Sequence, residues 1–124
     1  MNLKKYYMSL LSNNSSLTTL IGSGKVLSGY PKKVTTFPVV IFEDINSSDV
    51  AFSDNKPEGT SAQVRIHIFS KTIKGYPKVE DIAEIIRNIF RDDFWAMTNN
   101  QDTPDVEDNI KHRIMDFRRE FYSL

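Results

Sequence analysis

Cysteine is missing from this chain of 124 residues. No disulfide framework and no thiolate metal site can be built without it, which suits a reducing cytosol. Net charge is missing too, because sixteen basic residues balance sixteen acidic ones. Broad, nonspecific duplex binding rests on phosphate neutralisation, so a neutral total argues against it and leaves room only for a local basic patch. The longest apolar run, residues 37–42, is far short of the ~20 apolar residues that cross a bilayer, and no membrane partner is expected. Lys4 and Lys5 precede apolar positions broken by Ser9, Ser12 and Asn13, so no signal peptide is expected either. Without one, the Asn-x-Ser sequons at Asn13, Asn14 and Asn46 read as accidents of composition.

Chemistry-bearing motifs are equally sparse. His67 and His112 are the only histidines, and a metal site wants a third ligand at defined spacing. Both read as structural or solvated. Glu43 and Asp44 are neighbours on an expected strand, where successive side chains face opposite sides, so they cannot act as a pair. No Gly-x-Ser-x-Gly elbow is present. Gly22-Ser23-Gly24-Lys25 looks like a scrap of a phosphate loop, but the glycines are too close and Val26 follows the lysine. The plainer reading is a helix stop and a turn. Asp102, Asp105, Glu107 and Asp108 supply oxygens without a calcium-loop pattern; they read as a solvated loop, with weak cation binding or docking as the alternative. The residues therefore point away from an enzyme, with no catalytic, cofactor or metal site.

What is present is a strong strand at residues 60–70. Ala62, Val64, Ile66 and Ile68 alternate with Gln63, Arg65, His67 and Phe69, the period of two of a half-buried strand. Three of the four residues in the first set are β-branched, and the stretch is expected at the centre of the sheet. A second strong signal is a helix at about 78–91, with Val79, Ile82, Ala83, Ile85, Ile86, Ile89 and Phe90 on one stripe. Its acids, Glu80, Asp81 and Glu84, precede its bases, Arg87 and Arg91, as the helix dipole prefers. Pro77 suits its first turn, and Asp92-Asp93 close it. An N-terminal helix follows from Leu3, Tyr6, Tyr7, Leu10 and Leu11, with Asn2 as cap. A short helical turn over 17–21 takes Ser15 or Ser16 as cap and ends at Gly22.

Residues 25–30 read as a short extended piece. Pro38 opens a strand through Val39, Val40, Ile41 and Phe42. Residues 46–59 are rich in Ser, Asp, Asn, Pro and Gly and read as a long connection, a length that often carries function. Val50 and Phe52 within it fit a short edge strand, a plug on the core or an exposed anchor equally well. Residues 94–98 read as a short strand whose Phe94, Trp95 and Met97 belong to the core, and 99–109 as an acidic loop. The last stretch is ambiguous. Val106, Ile110, Ile114, Phe117 and Phe121 fit a helix stripe, which periodicity slightly prefers, and alternation from His112 onward fits a strand. Lys111, Arg113, Arg118 and Arg119 make it basic, either a solvated face or a patch for an acidic partner or passing DNA.

The order of these segments carries a resemblance. Leu-Thr-Thr-Leu-Ile-Gly (17–22) ends the helical start, and Phe-Pro-Val-Val-Ile-Phe (37–42) follows a basic Gly-Tyr-Pro turn. Gln-Val-Arg-Ile-His-Ile-Phe (63–69), Ile-Ala-Glu-Ile-Ile (82–86) and His-Arg-Ile-Met-Asp-Phe-Arg-Arg-Glu-Phe (112–121) complete the series. Over nearly its whole length the chain resembles the small tail-completion proteins of long-tailed bacteriophages and prophages, also called tail terminator or tail-to-head joining proteins.

The resemblance implies one α+β domain over residues 1–124, an antiparallel-rich sheet of about four to five strands with helices packed on it. It settles the last stretch as a strand. It implies a structural virion protein assembled in the bacterial host cytoplasm. That protein forms a ring, commonly of six subunits though monomeric in isolation, at the head-proximal end of the tail tube. There it ends tube polymerisation and meets the tail-tube protein and the head connector. It brings no catalytic or cofactor residues. The expected interface residues are Val50, Phe52 and Asp54 in the long connection, Asp105 and Asp108 in the acidic loop, and Arg113, Arg118 and Arg119 in the basic stretch. Acidic 102–108 against basic 111–119 of a neighbour is one complementary pairing. The competing reading is a non-enzymatic adaptor that binds a protein partner through the long connection or a sheet edge.

Overall fold

The computed structural model describes residues 2–53, 56–104, 107 and 109–122, with the backbone alone at 49–53 and 56–58. Two short helices open it, α1 (Leu3–Ser12) and α2 (Ser15–Ile21), followed by β1 (Val26–Ser28), β2 (Val39–Ser53) and β3 (Lys56–Lys71). Helix α3 (Val79–Asp92) then leads to β4 (Ala96–Asp102) and β5 (Ile110–Tyr122). The strands form one sheet in the order β1-β2-β3-β5-β4, with the stretch at 60–70 at its centre. Three pairings are antiparallel and β1 runs parallel to β2, so the α+β sheet is mixed rather than purely antiparallel.

All three helices lie on one face. Ala62, Val64, Ile66 and Ile68 of β3 are fully buried there. The register sets Ile66 between Phe42 and Met115, and Val64 beside Phe117. Against this sheet face pack Tyr7 and Leu11 of α1, Leu17 and Ile21 of α2, and Val79, Ile82, Ile86 and Phe90 of α3. Each large side chain moved out of water contributes about 1.5–3 kcal/mol, so this layer holds the domain together. Phe90 stacks on Phe117 at 4.3 Å between ring centroids, tying helix to sheet.

Capping explains the helix bounds. Asn2 accepts from the Lys5 N–H at 3.0 Å. Helix α2 is capped by Asn14, whose Oδ1 accepts from the Leu17 N–H at 2.9 Å, and not by Ser15 or Ser16. The asparagine reaches the free N–H groups from one residue earlier, so both serines enter the helix. Gly22 ends it at a φ of +93°, the stop-and-turn reading of the Gly-Ser-Gly-Lys stretch. Helix α3 begins after Pro77 rather than on it, with Lys78 at the cap position and no side-chain cap. Its other end is a full left-handed stop. The Phe94 N–H bonds the Arg91 carbonyl at 3.0 Å, and the Trp95 N–H bonds that of Phe90 at 2.9 Å. This is the paired closure of a helix C-terminus, here with Phe94 in the position glycine favours, at a φ of +68°.

The structure corrects the sequence reading in four places. Residues 46–59 are not a loose connection: β2 and β3 form one long hairpin, with a register shift between Asp44 and Asn46. Backbone ladders need no apolar alternation, and Ser47, Ser48 and Asp49 pair with Ala62, Ser61 and Thr60, so the strand carries no periodic signal. The strand expected at 94–98 begins at Ala96 and reaches Asp102, taking in Asn99, Asn100 and Gln101 from the expected loop. Polar residues are at home on such an exposed edge strand. Of the three side chains assigned to the core there, Trp95 is buried, Met97 is half-buried and Phe94 is 82% exposed. Finally, His67 and Phe69 are buried although they leave the helix-clad face, because residues 30–37 fold across that end of the sheet.

Candidate interaction surfaces

The second face of the sheet carries its own small apolar cluster. Val39, Ile41 and Phe69 are buried there, with Val34, Phe37 and Ile110 packed around them. Beside the cluster the register brings the two histidines together. His67 Nδ1 lies 2.9 Å from His112 Nε2, and His112 Nδ1 lies 2.9 Å from Thr103 Oγ1. Phe69 stacks on His112 at 4.0 Å, and Tyr30 meets His67 edge-on at 4.8 Å. Glu43 Oε1 approaches His67 Nε2 at 2.7 Å, out of line for a hydrogen bond.

As neutral imidazoles the two rings form one chain of contacts, in which His67 Nε2 alone lacks an aligned hydrogen-bond partner. Thr103 Oγ1 donates to His112 Nδ1, His112 Nε2 donates to His67 Nδ1, and the remaining His67 N–H faces the Glu43 carboxylate. Burial, aided by the neighbouring His67, pushes His112 down to about 4. Burial also lowers His67, and the Glu43 carboxylate opposes that shift. Sequence placed both histidines among structural or solvated residues; the fold makes them a buried structural pair. Among the described residues, no group of three or more His, Cys, Asp or Glu could hold a metal ion.

A pocket of about 200 Å³ opens next to this pair. Val34, Phe37, Phe69 and Ile110 form its apolar wall, and Lys32, Lys33 and Glu107 stand at its rim. It is smaller than the ~300–1,000 Å³ of typical small-molecule sites, a size suited to a side-chain anchor.

The expected interface residues fall into three groups. Val50 and Phe52 lie on the backbone of the outer β2–β3 hairpin, opposite Gly59 and Pro57. Asp54, Asp105 and Asp108 lie outside the described residues. The three arginines are engaged within the chain. Arg113 Nε bonds Asp102 Oδ1 at 2.8 Å, a pairing that holds the Asp102 carboxyl below its usual range. Arg118 Nη2 reaches Glu120 at 3.0 Å and stays half-exposed. Arg119 Nη1 donates to the Asp93 backbone oxygen at 2.6 Å and side chain at 3.1 Å, and to Tyr6 Oη at 3.2 Å. Tyr6 and Trp95 also donate to Asp93, so Asp93 and Arg119 knit α1, the end of α3 and β5 together. Lys111 pairs with Glu80, whose carboxyl is held down by that bond. The basic stretch is therefore largely neutralised from within, which composition alone could not reveal. The histidine pair and the rimmed pocket were missed as sites; the Lys32-Lys33 doublet before the apolar run was their one visible trace.

Comparison with known proteins follows the same lines as the fold. The sequence pattern of the family described as tail completion protein gp17 matches residues 8–119. Among curated proteins, none matches. A solved chain from the virion of a native gene transfer agent (GTA) particle is similar in fold, with a TM-score of 0.65 at 12% identity. The match covers 93% of this chain and 90% of that chain.

Proposed function

The chain belongs to the tail completion protein gp17 family, and on that premise we propose that it caps the head-proximal end of a phage tail tube. A tail completion protein is a structural component of the virion and touches other virion proteins. The finer reading is that copies associate head to tail into a closed ring; six is the number the family resemblance implies. One side of the ring ends tube polymerisation and the other joins the head connector. Val50 and Phe52 on the long hairpin, with Asp54, Asp105 and Asp108, supply contacts between copies. Arg118 is the arginine of the basic stretch with most exposure for a further partner, including DNA passing the ring.

The observation that carries this reading is the outer part of the hairpin. Beyond Gly59, which still pairs with Tyr122 of β5, β2 and β3 pair with each other and, among the described residues, with no third strand. An isolated two-stranded ribbon is marginal in water, so this one gains most when a neighbour covers it. The test is to omit the chain during particle assembly and measure tails by electron microscopy. Tails of uncontrolled length, or tails not joined to heads, are expected. Normal virions lacking the chain would overturn the reading.

A further inference from the structure

We infer that the free edge of β4 in one copy pairs with the free edge of β2 in the next, so that one sheet runs on from copy to copy. This deepens the proposed self-association and rests on it. The first observation is an unguarded edge. Strand β4 ends the sheet, and Asn100, Gln101 and Asp102 are exposed on it. Edge strands are commonly blunted with lysine or proline, because their open N–H and C=O groups accept a further strand. Residues 96–102 hold neither. Their one charge, Asp102, is turned back onto Arg113 at 2.8 Å. Past the register shift between Met97 and Asn99, the pairing with β5 is regular through Asp102. The Thr103 N–H bonds the His112 carbonyl at 2.9 Å, so by alternation Gln101 also faces β5, and the N–H and C=O groups of Asn100 and Asp102 point away from the sheet.

The second observation is a matching edge on the opposite side. There β1 covers β2 only from Val40 to Phe42. The Val40 N–H bonds the Lys25 carbonyl and the Gly29 N–H bonds the Phe42 carbonyl, both at 2.9 Å. Asp44 is next to turn outward, and no described strand meets it there. After the register shift Asn46 faces Gln63 and Ser47 turns outward. Ile45, at the shift, is 43% exposed, an apolar side chain that an added strand would cover in part. The third observation is strand sense. Strand β4 runs parallel to β3 and so antiparallel to β2. Copies set side by side in one orientation therefore bring the two edges together antiparallel, the more stable pairing. Within one chain β3 and β5 stand between the edges, three strand spacings or about 14 Å, so a second copy must supply the partner. Such a contact joins two different patches, and its repetition makes a ring or a filament.

Proline on an edge strand is tolerated where its missing N–H faced outward, which gives the test. The full chain carrying Asn100→Pro, or Ser47→Pro on the other edge, is offered to assembling particles. Each is expected to lower the amount of chain in particles about tenfold by removing one donor and crowding the joint. Asn100→Ala, which keeps the backbone donor, is expected to assemble normally. Hydrogen exchange on the unaltered chain is the second arm and needs no variant to fold. The Asn100 and Asp102 amides are expected to exchange fast in the isolated chain and slowly in particles, with Gln101 protected in both. Normal incorporation of both proline variants, or fast exchange at Asn100 and Asp102 in particles, would overturn this inference and leave the tail-capping proposal standing. A loss with Asn100→Pro alone would assign the β4 edge to a strand of another protein and overturn it too. Unaltered particles that lack the chain altogether would overturn both proposals.

Discussion

The two faces of the sheet are built on different principles. The helix-clad face is a continuous apolar layer in which Ile66, Phe90 and Phe117 are closed off from water. The opposite face holds only Val39, Ile41 and Phe69 with a few partly covered neighbours, and fills the rest with pairs of polar groups. On it Arg65 grips Asp116 through two bonds of 2.9 and 3.1 Å, and the two histidines share a contact under Tyr30. The lesson is a division of labour. One face supplies stability, and the other can keep a pocket and a charged rim because it is not asked to hold the fold.

The largest effect expected from this contrast is on stability. Phe117→Ala empties the clad face beside Phe90 and is expected to cost about 3–5 kcal/mol. Phe69→Ala, on the smaller cluster, is expected to cost about 2 kcal/mol, since its pocket is already partly open to water. Urea unfolding of both variants measures the difference, and equal losses would break the comparison.

Acid should act next, and on the open face first. His112 titrates at about 4 in the folded chain and near 6.5 when unfolded. Between those values the unfolded chain binds the extra proton, so stability falls as pH drops from about 6.5 to about 4 and levels off below. A loss on the order of 1–3 kcal/mol is expected over that window. Glu80 and Asp102, held below their usual range by Lys111 and Arg113, contribute stability above the carboxylate range that is lost at lower pH still. His112→Phe keeps the stacking on Phe69 but removes the titrating ring. It is expected to cost about 1 kcal/mol at neutral pH through the lost bonds and to flatten the upper part of the profile. An unchanged slope between pH 6.5 and 4 would place the acid sensitivity elsewhere.

Smaller effects sharpen the contrast. Phe94 holds a left-handed backbone while its ring is 82% exposed. Phe94→Gly is expected to gain about 1 kcal/mol by relieving the strain of that conformation, read as a higher unfolding midpoint. Lys32→Glu and Lys33→Glu, on the pocket rim, are expected to leave stability within about 0.5 kcal/mol. A large loss there would mean that the rim serves the fold rather than a partner.

How much of this was legible in the sequence follows the same division. Periodic apolar burial writes itself into a chain, so β3, α1 and α3 were visible from residues 60–70, 3–11 and 79–90. The outer hairpin was not, because its backbone ladder leaves no alternation in Ser47, Ser48 and Asp49. The edge strand β4 hid for the same reason behind Asn99, Asn100 and Gln101. Residues 110–122 fitted two periods at once, and the resemblance decided correctly for a strand. The histidine pair was beyond sequence reasoning altogether. His67 and His112 meet only because β3 and β5 pair in a register that sets Phe69 opposite His112, and no local pattern encodes a register between distant strands. The internal neutralisation of Arg113 by Asp102 and of Arg119 by Asp93 was hidden likewise, so residues that looked like a free basic patch are mostly fold contacts.

The central claim is that this chain acts by position and shape, as a building block at the junction of tail and head. Electron cryomicroscopy of intact particles tests it most directly. A closed ring of copies between the last tube layer and the head connector, with each hairpin lying on its neighbour, is the result expected. The chain found at the far end of the tail, or absent from purified particles, would contradict it.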